Sequence, residues 1–131
     1  MAKQYVVKRD EAVQGFYQSP TGRGGTLMRF MIDEETSGGT HFAMMANQIA
    51  AGTQAGPGVH SHATEHGFYI LSGKARFMIE DQEHIVGPHT SVFIPANVPH
   101  SVASASDEPL EYVAIYAPQG PERELRRRLG K

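Results

Sequence analysis

Four of the seven histidines stand in two short segments whose spacing suits metal coordination. Three lie in Gly58-Val59-His60-Ser61-His62-Ala63-Thr64-Glu65-His66-Gly67, and the fourth ends Pro95-Ala96-Asn97-Val98-Pro99-His100. In an extended chain alternate residues share a face, so His60 and His62 project together, their Cα atoms about 6.6 Å apart. Ala63-Thr64-Glu65 supplies a bend, after which His66 can face back towards that pair. His100 follows two prolines, which fix backbone angles and remove donors, so a rigid turn presents it. A His-x-His pair alone is commonplace on a strand surface. With a third histidine at a compatible offset and a fourth in a Pro-rich turn, the expectation is one divalent ion held by His60, His62, His66 and His100. Imidazole suits zinc, copper, iron and nickel. His41, His84 and His89 lack such company and read as ordinary surface.

The elements that must position these side chains are short runs rich in β-branched and aromatic residues, punctuated by Gly, Pro, Asn and Asp. Strands are expected over Gln4 to Lys8, Thr26 to Ile32, Thr40 to Ile49, Glu65 to Leu71, Lys74 to Glu80, Gln82 to Val86, Ser91 to Ile94, His100 to Ala103 and Leu110 to Ala117. Strands of this number and spacing imply an all-β sandwich or barrel. Residues 9 to 25 are polar and Gly-rich and read as a loop or loosely held arm. Only the stretch after Gly120 reads as helix: Pro121 opens it, Glu122 and Glu124 precede Arg126-Arg127-Arg128, and that order suits the helix dipole. The arginine cluster is expected to be solvated.

At 131 residues, 40% hydrophobic, the chain supports one domain and one core, spanning 1–131 with its core at about 26–117 and a tail or helix at 118–131. A formal net charge of −2 offers no basic surface for nucleic acid. No apolar run approaches the roughly 20 residues that span a bilayer, and Met1-Ala2-Lys3-Gln4 lacks the apolar core of a signal peptide. Cysteine is absent, which excludes disulfide and thiolate chemistry. A cytoplasmic location is the expectation.

The two histidine segments resemble the paired motifs of the cupin superfamily. His60, His62 and Gly73 match the first motif, and His66 stands where that family usually has glutamate. Pro95 and His100 match the second, with Asn97 in place of a glycine and Ser104 in place of an asparagine. The resemblance covers roughly residues 40 to 117. It implies an all-β, single-domain cupin sandwich or jelly-roll barrel with a short C-terminal helix. The four-histidine set is similar to that of a minority of small cupins, among them zinc-dependent polyketide cyclases and manganese-binding members, so zinc, manganese or iron is implied. Cupins also pair as dimers through N-terminal strands, which would give Gln4 to Lys8 that role in a homodimer.

Four neutral imidazoles leave the full charge on a dication, which favours carbonyl activation over oxygen chemistry. The leading expectation is therefore an enzyme of cyclase, isomerase or lyase type, stabilising an enolate of a small apolar or aromatic carbonyl compound. A non-haem iron or manganese dioxygenase and a non-catalytic metal- or metabolite-binding protein are the alternatives. If His66 faces inward, period two sends Phe68 and Ile70 inward as well. Met44, Met78, Phe93 and Tyr112 are further candidates for the substrate pocket, though parity is not fixed for them. Tyr112 is the candidate catalytic side chain beside a metal-bound water.

Overall fold

The computed structural model describes residues 3–39 and 41–131. Among the described residues, nine strands form two antiparallel sheets that face each other across a hydrophobic core. They are β1 Val13–Gln18, β2 Gly25–Ile32, β3 Ala43–Ile49, β4 Glu65–Ser72, β5 Ala75–Ile79, β6 Gln82–Val86, β7 Ser91–Ile94, β8 His100–Ser104 and β9 Leu110–Ala117. One sheet has the order β1-β2-β3-β9-β4-β7 and the other β6-β5-β8. The short helix α1 Glu34–Ser37 follows β2, and α2 Pro121–Leu129 closes the chain. This is the expected β-sandwich with a C-terminal helix. No helix among the described residues is long and apolar enough to cross a membrane.

Alternation writes the core directly into β3, β4 and β9. Ala43, Met45 and Ile49 are buried on β3; His66, Phe68 and Ile70 on β4; Leu110, Tyr112, Ala114 and Tyr116 on β9. Pairing registers put these residues side by side: Met45 opposite Ala114, Phe68 opposite Ala114, and His66 opposite Tyr116. Gly73, the glycine of the first motif, turns β4 into β5 at φ +76, and a Cβ there would lie 2.4 Å from the Pro109 carbonyl oxygen. Only glycine fits so close a passage.

Two expectations fail at the N-terminal end. Gln4 to Lys8 is not a strand: Tyr5 is 99% and Val6 82% exposed, and the segment is held instead by Gln4 N donating to Thr36 O at 2.9 Å. Residues 9 to 25, expected as loop, contain β1, paired antiparallel with β2 from Val13↔Phe30 to Gln18↔Gly25. Gly15 is what made this stretch read as loop. A Cβ at Gly15 would sit 3.1 Å from Leu129 Cδ1, so the glycine admits α2 against the strand. Thr40, where the third expected strand began, lies outside the described residues.

The C-terminal helix forms as expected, with Pro121 in its first turn and Gly130 at its C-cap. Its charges are not all solvated, however. Arg126 is buried, pairs with buried Asp33 (Nε to Oδ2, 2.5 Å) and lies 4.7 Å over the Phe30 ring. Burial pushes the Asp33 carboxyl up, but hydrogen bonds from Arg126 and Thr36 together with the Arg126 charge outweigh it and hold the group below its ordinary value. Glu122 is buried too, its Oε1 accepting from Gly120 N at 2.6 Å.

Candidate metal centre

The histidines meet where two irregular segments cross at one end of the sandwich. His60 and His100 form an isolated antiparallel bridge, each backbone N–H donating to the other's carbonyl at 3.0 and 2.9 Å. Asn97 N donates to His62 O at 2.7 Å, which ties the second histidine to the same Pro-rich turn. Asn97 adopts φ +66, the left-handed conformation that asparagine tolerates in the place of glycine. The expected regular strand through His60 and His62 is absent, but the bridge preserves the alternation that directs both rings inward. His66 arrives from β4, on its buried face.

Ring centroids lie 4.4 Å apart for His60 and His100, 5.2 Å for His62 and His100, and 5.6 Å for His60 and His62. The ligand atoms of these three histidines all lie within 4.8 Å of one another. His66 is adjacent, at 5.2 Å from His62 and 5.6 Å from His100, but stands outside that group. His41, His84 and His89 are exposed and remote from it, as expected.

Each of the three grouped rings is oriented by an oxygen of the chain. His60 Nδ1 lies 2.9 Å from Gly58 O and His100 Nδ1 2.8 Å from Val98 O. His62 Nδ1 meets both Thr64 O at 3.2 Å and Thr64 Oγ1 at 3.0 Å. With Nδ1–H donating, Nε2 is left as the free lone pair of each ring. Nε2 of His62 and His100 is buried without any partner. A buried polar atom left unpaired costs about 1–3 kcal/mol, and a divalent ion at the centre would satisfy these nitrogens together. The donor set therefore fits a metal, and the oxygens behind it match the support that metal-binding histidines ordinarily have.

Burial also favours the neutral form of His62, His66 and His100, the state a ligand needs. It pulls His100 down to about 4 and His66 well below its ordinary value, with neighbouring histidines adding to the effect. His62 is lowered as well, chiefly by burial.

Of the expected pocket residues, Phe68, Ile70 and Tyr112 face the interior and are buried. Met44, Met78 and Phe93, also expected there, do not. Their strand neighbours Met45, Phe77 and Ile94 take the inward positions, and Phe93 is 57% exposed. Tyr112 lies beyond Phe68 (ring centroids 5.5 Å apart), and burial pushes its phenol up to about 12. The tyrosine against the histidines is Tyr116, which the sequence reading missed. Its ring lies 4.3 Å from His66 and 5.5 Å from His62. Period two from Tyr112 along β9 was the signal that could have found it.

The chain belongs to the cupin family: the cupin domain profile (Cupin_2) matches residues 48–116. No curated protein sequence matches it significantly. Among solved structures, the polyketide cyclase RemF from Streptomyces resistomycificus superposes with a TM-score of 0.74 at 22% identity, covering 92% of this chain and 82% of that one. A predicted oxalate decarboxylase from Thermotoga maritima gives 0.74 at 19% identity, with 87% and 99% covered. The iron(II) form of HppE gives 0.70 at 13%, with 86% and 60% covered. At these identities the likeness is one of fold.

Proposed function

We propose that this cupin is a metal-dependent enzyme of cyclase, isomerase or lyase type, acting on a small apolar or aromatic carbonyl compound. One divalent ion per chain would be held by His60, His62, His66 and His100, and zinc suits the neutral donor set best. The observation that carries the reading is the convergence of carbonyl-anchored imidazoles, with unpaired Nε2 atoms, on an interior otherwise walled by aromatic and aliphatic side chains. The bound ion would supply Lewis acidity towards a carbonyl oxygen. RemF, whose name records a polyketide cyclase, is a fold neighbour in keeping with this class.

The chain's own groups then have separable tasks. His60 and His62 are half-buried and open the site to solvent, whereas His66 and His100 are buried beneath them. Phe68 and Tyr112 pack in the apolar core behind the histidines, Phe68 directly against His66. Tyr116 is kept protonated, since burial, then Tyr112 and the Glu122 charge, raise its pKa. Its ring packs against the histidines, 4.3 Å from His66 and 5.5 Å from His62.

The test is the metal content of protein purified without added metal, beside His62→Ala. Stoichiometric zinc that disappears in the variant supports the reading, and cyclisable aromatic 1,3-dicarbonyl compounds are then the substrates to assay. Absence of stoichiometric metal from both proteins would overturn it.

A further inference from the structure

Three of the four histidines are built differently from the fourth. His60, His62 and His100 each hold Nδ1 within 2.8–3.2 Å of a chain oxygen, and their ligand atoms converge. His66 does neither. Both its ring nitrogens lack a partner although the residue is only 3% exposed. What fixes its ring is stacking: Phe68 lies 4.0 Å away on one flank, inclined 35°, and Tyr116 4.3 Å away, inclined 32°.

The difference has chemical content. The tautomer of a neutral imidazole is set by the hydrogen bond that its other nitrogen makes, and that bond also raises ligand basicity. Gly58 O, Val98 O and Thr64 impose this on three rings. No group imposes it on His66, so its tautomer is left to the ring's own weak preference. Packing by Phe68 and Tyr116 holds the plane of the ring, but no polar partner fixes which nitrogen carries the proton. Outer partners of this kind are worth about 10–100-fold in metal affinity, and His66 is the ring without one.

We infer that His60, His62 and His100 form the fixed metal-binding set, and that His66 is a displaceable fourth ligand whose place a chelating two-oxygen substrate takes. This deepens the metal-enzyme reading and rests on it. It narrows the substrate to compounds presenting two oxygens to one ion, such as 1,3-dicarbonyl or hydroxy-carbonyl compounds, because release of His66 frees a further coordination position.

Zinc affinity measured by competition with a chromophoric chelator tests this across His60→Ala, His62→Ala, His100→Ala and His66→Phe. Phenylalanine keeps the stacked ring and removes both nitrogens. The expected result is a loss of about 100-fold or more for each of the first three and less than about 10-fold for His66→Phe. Ring-nitrogen NMR of the wild type provides a reading that needs no variant to fold. The metal-free protein should show one tautomer for the three anchored rings and two in exchange for His66. Saturating acetylacetone on the zinc-loaded protein should return only the His66 nitrogens to their metal-free shifts.

A His66→Phe loss equal to the other three would overturn the inference and leave the metal-enzyme reading standing. So would His66 nitrogens that stay metal-shifted under acetylacetone, or acetylacetone that does not bind. Unchanged affinity in all four variants would remove the metal site itself.

Discussion

Thr64→Val isolates what the outer oxygens contribute to the metal centre. Thr64 is buried, and its hydroxyl lies 3.0 Å from His62 Nδ1 while its own carbonyl lies 3.2 Å from the same atom. Valine keeps the branched shape and deletes one of these two acceptors. A typical hydrogen bond is worth about 0.5–1.5 kcal/mol net, and loss of an outer partner of a metal-binding histidine costs about 10–100-fold in affinity. Because the carbonyl remains, the lower end applies: zinc affinity should fall about 10-fold, or about 1.4 kcal/mol. Competition titration at fixed pH reads this directly, and urea unfolding of the metal-free variant checks that the fold is intact. Affinity unchanged within about twofold would show that the carbonyl alone orients the ring. A loss as large as that of His62→Ala would place the hydroxyl among the ligands. Either result refutes the reasoning.

Arg126→Leu strands the buried Asp33 carboxylate, so unfolding free energy should drop by about 3–5 kcal/mol, whereas Asp33→Asn with Arg126→Leu should recover part of that; equal losses would show that the pair is not the cause. Metal-free protein should weaken as pH falls. The folded state lowers the pKa of His62, His66 and His100, chiefly by burial, so the unfolded chain binds more protons. Stability is therefore full above about pH 6.5 and is lost progressively towards pH 4, His100 alone contributing on the order of 3 kcal/mol. A urea midpoint that stays flat over that range would contradict it. On the outer face of the six-stranded sheet, Phe93 and Ile115 flank Gly67 in register, with Tyr69 beside them. An apolar patch with a ring next to a side-chain-free notch suits a second copy of the chain. Light scattering should give a dimer that Phe93→Lys dissociates, and a monomeric wild type would dispose of the idea.

That these histidines come close together was legible in the sequence because the signal is local, although only the ligand atoms of His60, His62 and His100 converge. Three of the residues fall within seven positions, and the fourth sits behind two prolines that rigidify its turn. Strand parity was legible only where a histidine anchored it, as in Glu65 to Leu71, where an inward His66 sends Phe68 and Ile70 inward. It was not legible where apolar residues run together. Met44-Met45, Phe77-Met78-Ile79 and Val92-Phe93-Ile94 read the same in either register, and a shift of one residue exchanges the two faces. Pairing with β9, β8 and β4 decided between them. The same kind of non-local term hid β1, whose Gly15 is explained by Leu129, far along the chain.

The C-terminal helix shows why composition alone understated the site's surroundings. Glu122 and Arg126 look like members of a solvated charge pattern, yet both are buried, and they attach α2 at two places. Arg126 ties it to Asp33 and the Phe30 ring, and Glu122 fixes Gly120, where an added Cβ would come within 4.0 Å of the Thr64 methyl. Thr64 in turn orients His62. The helix thus backs the residue that aims one ligand, while the other two anchored rings depend on the backbone carbonyls of Gly58 and Val98. Loosening α2 should therefore weaken zinc binding only through His62, at most to the extent that Thr64→Val does. Stability, by contrast, should fall by the full cost of the broken ion pair. Loss of the Arg126–Asp33 pair and loss of the Thr64 hydroxyl should therefore read out separately, the first in unfolding free energy and the second in zinc affinity.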